Sequence, residues 1–322
     1  MLSVSLLRVI SMLMIVLFHC MFFNTGEWSV YPCTIPNEMT KSVASIIVSI
    51  ALPLFFFISG FLFAYIYKYK NGYRDWKLFT WNKLKRLILP TFSWTIVYLI
   101  IFPFRYTVWE YLSGIRHLWF LPTLFVIFII VRVCIPFLLA KRKPFKDVLL
   151  LLVLFIISNA VHIPYWSQFI GKFSYYISFF VGGVMFCKYW FALRNKTIEV
   201  VCILVLIGLH IINTAYLFFF SQLVMDTVVL IAICCLTFDL LSVVKIDSSM
   251  ATHFLSNLDK NSLGIYLVHQ VLIMALYQFT QFEESWLTYH PYIGPIMLFA
   301  VVFPLSWAFS DAKRRLRLEP FL

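Results

Sequence analysis

Apolar stretches long enough to cross a bilayer recur along almost the whole chain, and this recurrence constrains the fold more than any other feature. A spanning helix needs about 20 predominantly apolar residues, and about ten runs approach that length. They lie near 2–23, 44–67, 85–104, 118–140, 147–162, 173–191, 198–220, 223–244, 261–282 and 292–310. The chain is 62% hydrophobic and only 12% charged, whereas a soluble domain carries about a quarter charged residues. The expectation is an all-α polytopic membrane protein of about ten transmembrane helices. It forms a single transmembrane domain over 1–322, with no separate soluble domain. The first run has no basic segment before it and no small-residue cleavage site after it, so it reads as a retained helix rather than a signal peptide.

A net charge of +12 would ordinarily raise the question of nucleic acid. Here the cations sit in short clusters between apolar runs, the pattern of membrane loops in contact with lipid headgroups and cytosol, and no nucleic-acid partner is expected. Loops around 68–86, 141–146, 188–196, 245–260 and 313–317 hold most of the 26 Lys and Arg. The opposite loops hold only Lys41, Arg105, Arg116 and Lys172. The positive-inside rule then places both termini in the cytosol, and an even number of spans returns the chain to its starting side. The seven cysteines fall mostly inside apolar runs without a CxxC pair and read as small buried hydrophobes; a Cys20–Cys33 bridge at the outer end of the first run stays open. No HExxH or comparable spacing occurs, so no metal is expected.

The first run carries an unusual pair, Arg8 and His19. Eleven residues separate them, about three helical turns, so both face nearly the same way, roughly 16 Å apart along the axis. Polar groups inside a span are costly and commonly functional, and a polar stripe along one helix implies a lined cavity. The alternative without chemistry is that Arg8 snorkels to one interface and His19 sits at the other.

At this pair the chain resembles the acyltransferase-3 family of integral membrane acyltransferases, whose first helix carries an Arg-x10-His motif. The resemblance recurs in order. Residues 53–62 read PLFFFISGFL, 83–90 read KLKRLILP, 117–121 read HLWFL and 262–269 read SLGIYLVH, each similar to a family segment. Two positions depart from the family pattern: Ser5 stands where an Asp is common, and Lys83 where an Arg opens the basic RxxR segment.

The resemblance implies an O-acyltransferase, most often an O-acetyltransferase, in a bacterial inner membrane. It would move an acyl group from cytosolic acetyl-CoA, or another acyl-CoA, to a hydroxyl of a cell-surface or lipid-linked glycan. His19 is implied as the central catalytic residue, with Arg8 beside it. A sugar hydroxyl is a poor nucleophile near neutral pH, and histidine is the side chain best suited to remove its proton. Lys83, Lys85 and Arg86 would meet the donor's phosphates, Lys83 and Arg86 sharing one face at i,i+3 spacing; topology alone also accounts for all three. Ser59, His117, Trp119, Tyr266 and His269 are candidate substrate contacts. Four of them have a plainer reading: helix packing at Ser59-Gly60, an interfacial place for His117 and Trp119, a cavity hydrogen bond for His269. Asp226 and Asp239 lie near the ends of the eighth run, and His162, His210, His253 and His290 show no pairing pattern. A glycan transporter or flippase, and an enzyme using a succinyl-type donor, are the competing readings.

Overall fold

The computed structural model describes residues 2–28, 31, 33, 35–102, 106–160, 167–193, 249–280 and 289–316. Their regular structure is all helical. The helices are α1 (Leu2–Met21), α2 (Glu38–Tyr69), α3 (Trp76–Lys83), α4 (Leu89–Ile101), α5 (Val108–Ser113), α6 (Phe120–Leu139), α7 (Pro144–Ala160), α8 (Ser167–Leu193), α9 (Ser249–Thr280) and α10 (Ile293–Arg315). Among the described residues, six stretches are long and apolar enough to cross a membrane: α1, α2, Trp76–Ile101, Arg116–Leu139, α9 and α10. The runs at 198–220 and 223–244, with Asp226, Asp239, His162 and His210, lie outside the described residues.

The helices form where the apolar runs predict them, but several reach further. α2 starts before residue 44, and α9 starts well before residue 261 because the polar stretch at 249–260 is helical too. The third run is preceded by α3, whose first turn is capped by Asp75, the carboxylate accepting from the Leu78 amide at 3.0 Å. A π-helical turn, Leu84–Ile88, joins α3 to α4.

α10 shows the logic of a bilayer helix. It buries Ser306, Ser310 and Asp311 and exposes Met297, Val301, Leu305 and Phe309 at helical spacing. A helix in water does the reverse; an apolar outer face and a polar inner face suit a lipid surround.

The chain divides into two compact units. The first comprises Met1–Leu52, Leu89–Leu118 and Ile246–Leu322. In it α1 packs against α9 and α10, and α9 packs against α10. Close approach of α9 to α10 requires Gly264, where a Cβ would collide with the Ser310 hydroxyl. The second unit comprises Pro53–Ile88 and Trp119–Lys245. There Gly60 and Gly183 form a reciprocal notch: a Cβ on Gly60 would strike the Phe180 carbonyl, and one on Gly183 the Phe57 carbonyl. In the same unit Asp147 binds Lys188 and Arg142 and accepts from Tyr189 at 2.5 Å.

The Cys20–Cys33 bridge left open by the sequence is not formed: both are free thiols. Cys20 is fully buried on the inner face of α1, whereas Cys33 lies in the following loop and is half-buried.

Candidate active site

The C-terminal half of α1, the 3-10 turn Arg116–Trp119 and the middle of α9 bring three histidines together within the first unit. His19 and His269 have ring centroids 4.9 Å apart, His117 and His269 5.2 Å, and His19 and His117 6.2 Å. His117 and His269 are buried, while His19 keeps part of its surface exposed.

Their hydrogen bonds fix the tautomers, because a backbone carbonyl only accepts. His19 Nδ1 lies 2.8 Å from the Ile15 carbonyl oxygen, so Nδ1 carries the proton. His269 Nδ1 donates to the Ile265 carbonyl at 3.2 Å, which leaves its Nε2 as a lone pair. That lone pair faces His19 Nδ1 at 3.2 Å. His117 Nε2 donates to the Tyr266 carbonyl at 3.0 Å, and its Nδ1 accepts from the Tyr98 hydroxyl at 3.2 Å. The Tyr266 hydroxyl donates to the His117 carbonyl, closing the loop between the two segments. In this scheme His19 Nε2 is the unprotonated nitrogen, the form a general base needs. The nitrogens aimed at Ile15, Ile265 and Tyr266 are committed to different carbonyls and do not converge on one ion. No group of His, Cys, Asp and Glu suited to a metal occurs among the described residues.

At the other end of the same α1 face Arg8 meets a carboxylate that the sequence reading overlooked. Arg8 Nε lies 2.6 Å from Asp259 Oδ1, and Nη2 donates to Oδ2 at 2.8 Å. The Ser5 hydroxyl donates to the same Oδ2 at 2.7 Å. The signal available was a lone acid just ahead of the ninth run, together with a missing acid at position 5. Tyr98 was also missed, since nothing in an apolar helix marks which tyrosine will meet a histidine.

The remaining candidates lie in the second unit. Lys83 places Nζ 3.3 Å from the Phe128 ring centroid, with Tyr73 at 5.3 Å and Phe79 at 5.8 Å, an aromatic box for its ammonium. Lys85 lies over Trp81 at 5.4 Å, and Arg86 is exposed. The π-helical turn that follows Lys83 takes in both Lys85 and Arg86. Arg132, which the sequence placed inside a span, donates to the Tyr73 and Arg74 carbonyls at 2.7 and 2.9 Å. Trp119 stacks near Tyr176 at 5.6 Å with Lys172 Nζ 4.2 Å over its ring. Ser59 is half-buried beside the Gly60 notch. His117, for which the sequence allowed an interfacial place, is 4% exposed.

A model of the acyltransferase domain family, acyltransferase-3, matches residues 1–312. The chain belongs to this family. It is therefore a membrane acyltransferase, which displaces the transporter reading. Comparison with curated proteins and with solved structures produced no significant match. Family membership gives the reaction class; the bond to Ile15 leaves His19 Nε2 unprotonated.

Proposed function

We propose that this acyltransferase moves an acetyl group from cytosolic acetyl-CoA to a hydroxyl of a cell-surface or lipid-linked glycan, in a bacterial inner membrane. The observation that carries the reading is His19, part-exposed, with Nδ1 committed to the Ile15 carbonyl and to His269. Its Nε2 accepts the proton of the acceptor hydroxyl as that oxygen attacks the thioester carbon. The new O–C bond forms, the C–S bond breaks, and the proton passes from Nε2 to the leaving thiolate. A positioned base of this kind contributes about 10²–10⁴-fold. The imidazolium formed in between is supported at Nδ1 by the Ile15 carbonyl and the His269 lone pair.

Lys83, Lys85 and Arg86 supply cations for the donor's phosphates, the Lys83 ammonium lying against the Phe128 and Tyr73 rings. His117, Tyr266, Ser59 and Trp119 remain proposed acceptor contacts, the first two through the hydrogen-bonded wall they form beside His19. Ten spans with both termini in the cytosol put the basic loops on the donor's side.

The test uses inner-membrane vesicles with wild type or His19→Ala at matched levels, supplied with isotopically labelled acetyl-CoA or succinyl-CoA. Label should enter glycan only from acetyl-CoA and only with wild type. Label from succinyl-CoA alone overturns the acetyl assignment, and equal labelling by the variant overturns the mechanism.

A further inference from the structure

Resting on the acyl-transfer reading above, we infer that Asp259 is a positioning residue that holds Arg8 in its working orientation, and that Ser5 and Asp259 together form one carboxylate site shared between α1 and α9.

α1 and α9 lie side by side and run the same way. Arg8 meets Asp259 and His19 meets His269 at sequence offsets of 251 and 250, so the two helices keep one register over the whole distance between the polar pairs. α9 therefore grips α1 twice, at the cation and at the base. The grip at Arg8 is a charge-assisted hydrogen bond, Nη2 donating to Oδ2 at 2.8 Å, with Nε 2.6 Å from Oδ1 in ion-pair contact. Asp259 is itself fixed: Ser5 donates to Oδ2 at 2.7 Å, and the Ser262 hydroxyl donates to the Asp259 carbonyl at 2.8 Å. An arginine in an apolar helix is expensive without a counter-charge, and the carboxylate that supplies it comes from a helix far away in sequence.

Ser5 lies one turn before Arg8 on the same face, with its hydroxyl already in contact with the Asp259 carboxylate. A carboxylate placed at position 5 therefore falls within reach of the same guanidinium. A second carboxylate beside Asp259 would repel the first across the same guanidinium.

The experiment compares Asp259→Asn, Ser5→Asp and the double variant with wild type and His19→Ala. Each is purified in detergent, its melting temperature measured, and acetyl transfer to glycan followed against acetyl-CoA concentration, per folded protein. Each single variant should lose about 10- to 100-fold in transfer, the range expected when a positioning contact is lost or distorted. The double variant should recover most of that loss, because one charge again faces Arg8. Wild-type activity in Asp259→Asn overturns the inference, and so does a double variant no better than the singles. If wild type and His19→Ala transfer alike, the acyl-transfer reading is what fails. The carboxylate site is then judged on melting temperature: lowered by each single change and restored by the double supports it, and any other order overturns it.

Discussion

His269 Nε2 lies 3.2 Å from His19 Nδ1, lone pair to N–H, in a cluster with no carboxylate hydrogen-bonded to either ring among the described residues. In the proposed mechanism a neutral imidazole takes the orienting place that an acid holds in the familiar serine hydrolase triad. It would hold the His19 ring and tautomer without adding a charge to a low-dielectric surround.

Replacing His269 by Phe keeps most of the volume and removes both nitrogens. His19 retains only its bond to Ile15 and can turn about it. Turnover should fall by about 10- to 100-fold with little change in donor KM, as expected for a lost positioning contact. Steady-state kinetics in vesicles at matched protein levels check this, and unchanged turnover would reduce His269 to packing.

Lys83→Met leaves the aromatic box filled but uncharged. If the ammonium meets donor phosphate, KM for acetyl-CoA should rise roughly tenfold, from the loss of one charge-assisted contact of about 1.5 kcal/mol. Turnover at saturation should hold. A titration of acetyl-CoA against initial rate separates the two effects, and a variant with unchanged KM would return Lys83 to topology alone.

Gly183→Ala places a methyl group against the Phe57 carbonyl in the α2–α8 notch. Backbone cannot yield as a side chain can, so the second unit should lose about 1–3 kcal/mol. The readout is the melting temperature of detergent-purified protein, which should drop. An unchanged melt would mean that the two helices can part without cost.

The basic loops predict that reporters fused to the two termini both read as cytosolic. A periplasmic signal from one end alone would contradict an even number of spans, and one from both ends would reverse the orientation.

Much of this arrangement was legible before any coordinates. Arg8 and His19 show themselves because a charge and an imidazole inside one apolar run are rare, and their spacing puts them on one face. Hydropathy located α1 and α6 closely, since burial in lipid is what their composition encodes. It missed the first turns of α9, because residues 249–260 are polar and helical at once. Asp259 sits in that stretch, and an ion pair at an offset of 251 residues leaves no local periodicity to read. The π-helical turn at Leu84–Ile88 was equally hidden, for a one-residue change of phase depends on packing rather than on the local apolar pattern. The three-histidine cluster falls between these cases: His117 and His269 stood out individually, and only the fold brings them to His19.

The central claim is that His19 performs acyl transfer, and the most direct measurement is the acetyl content of the host's surface glycans by mass spectrometry, with wild type and His19→Ala expressed at matched membrane levels. A discrete acetyl mass that appears with wild type and is absent with the variant is the result predicted here. Full acetylation by His19→Ala would contradict it.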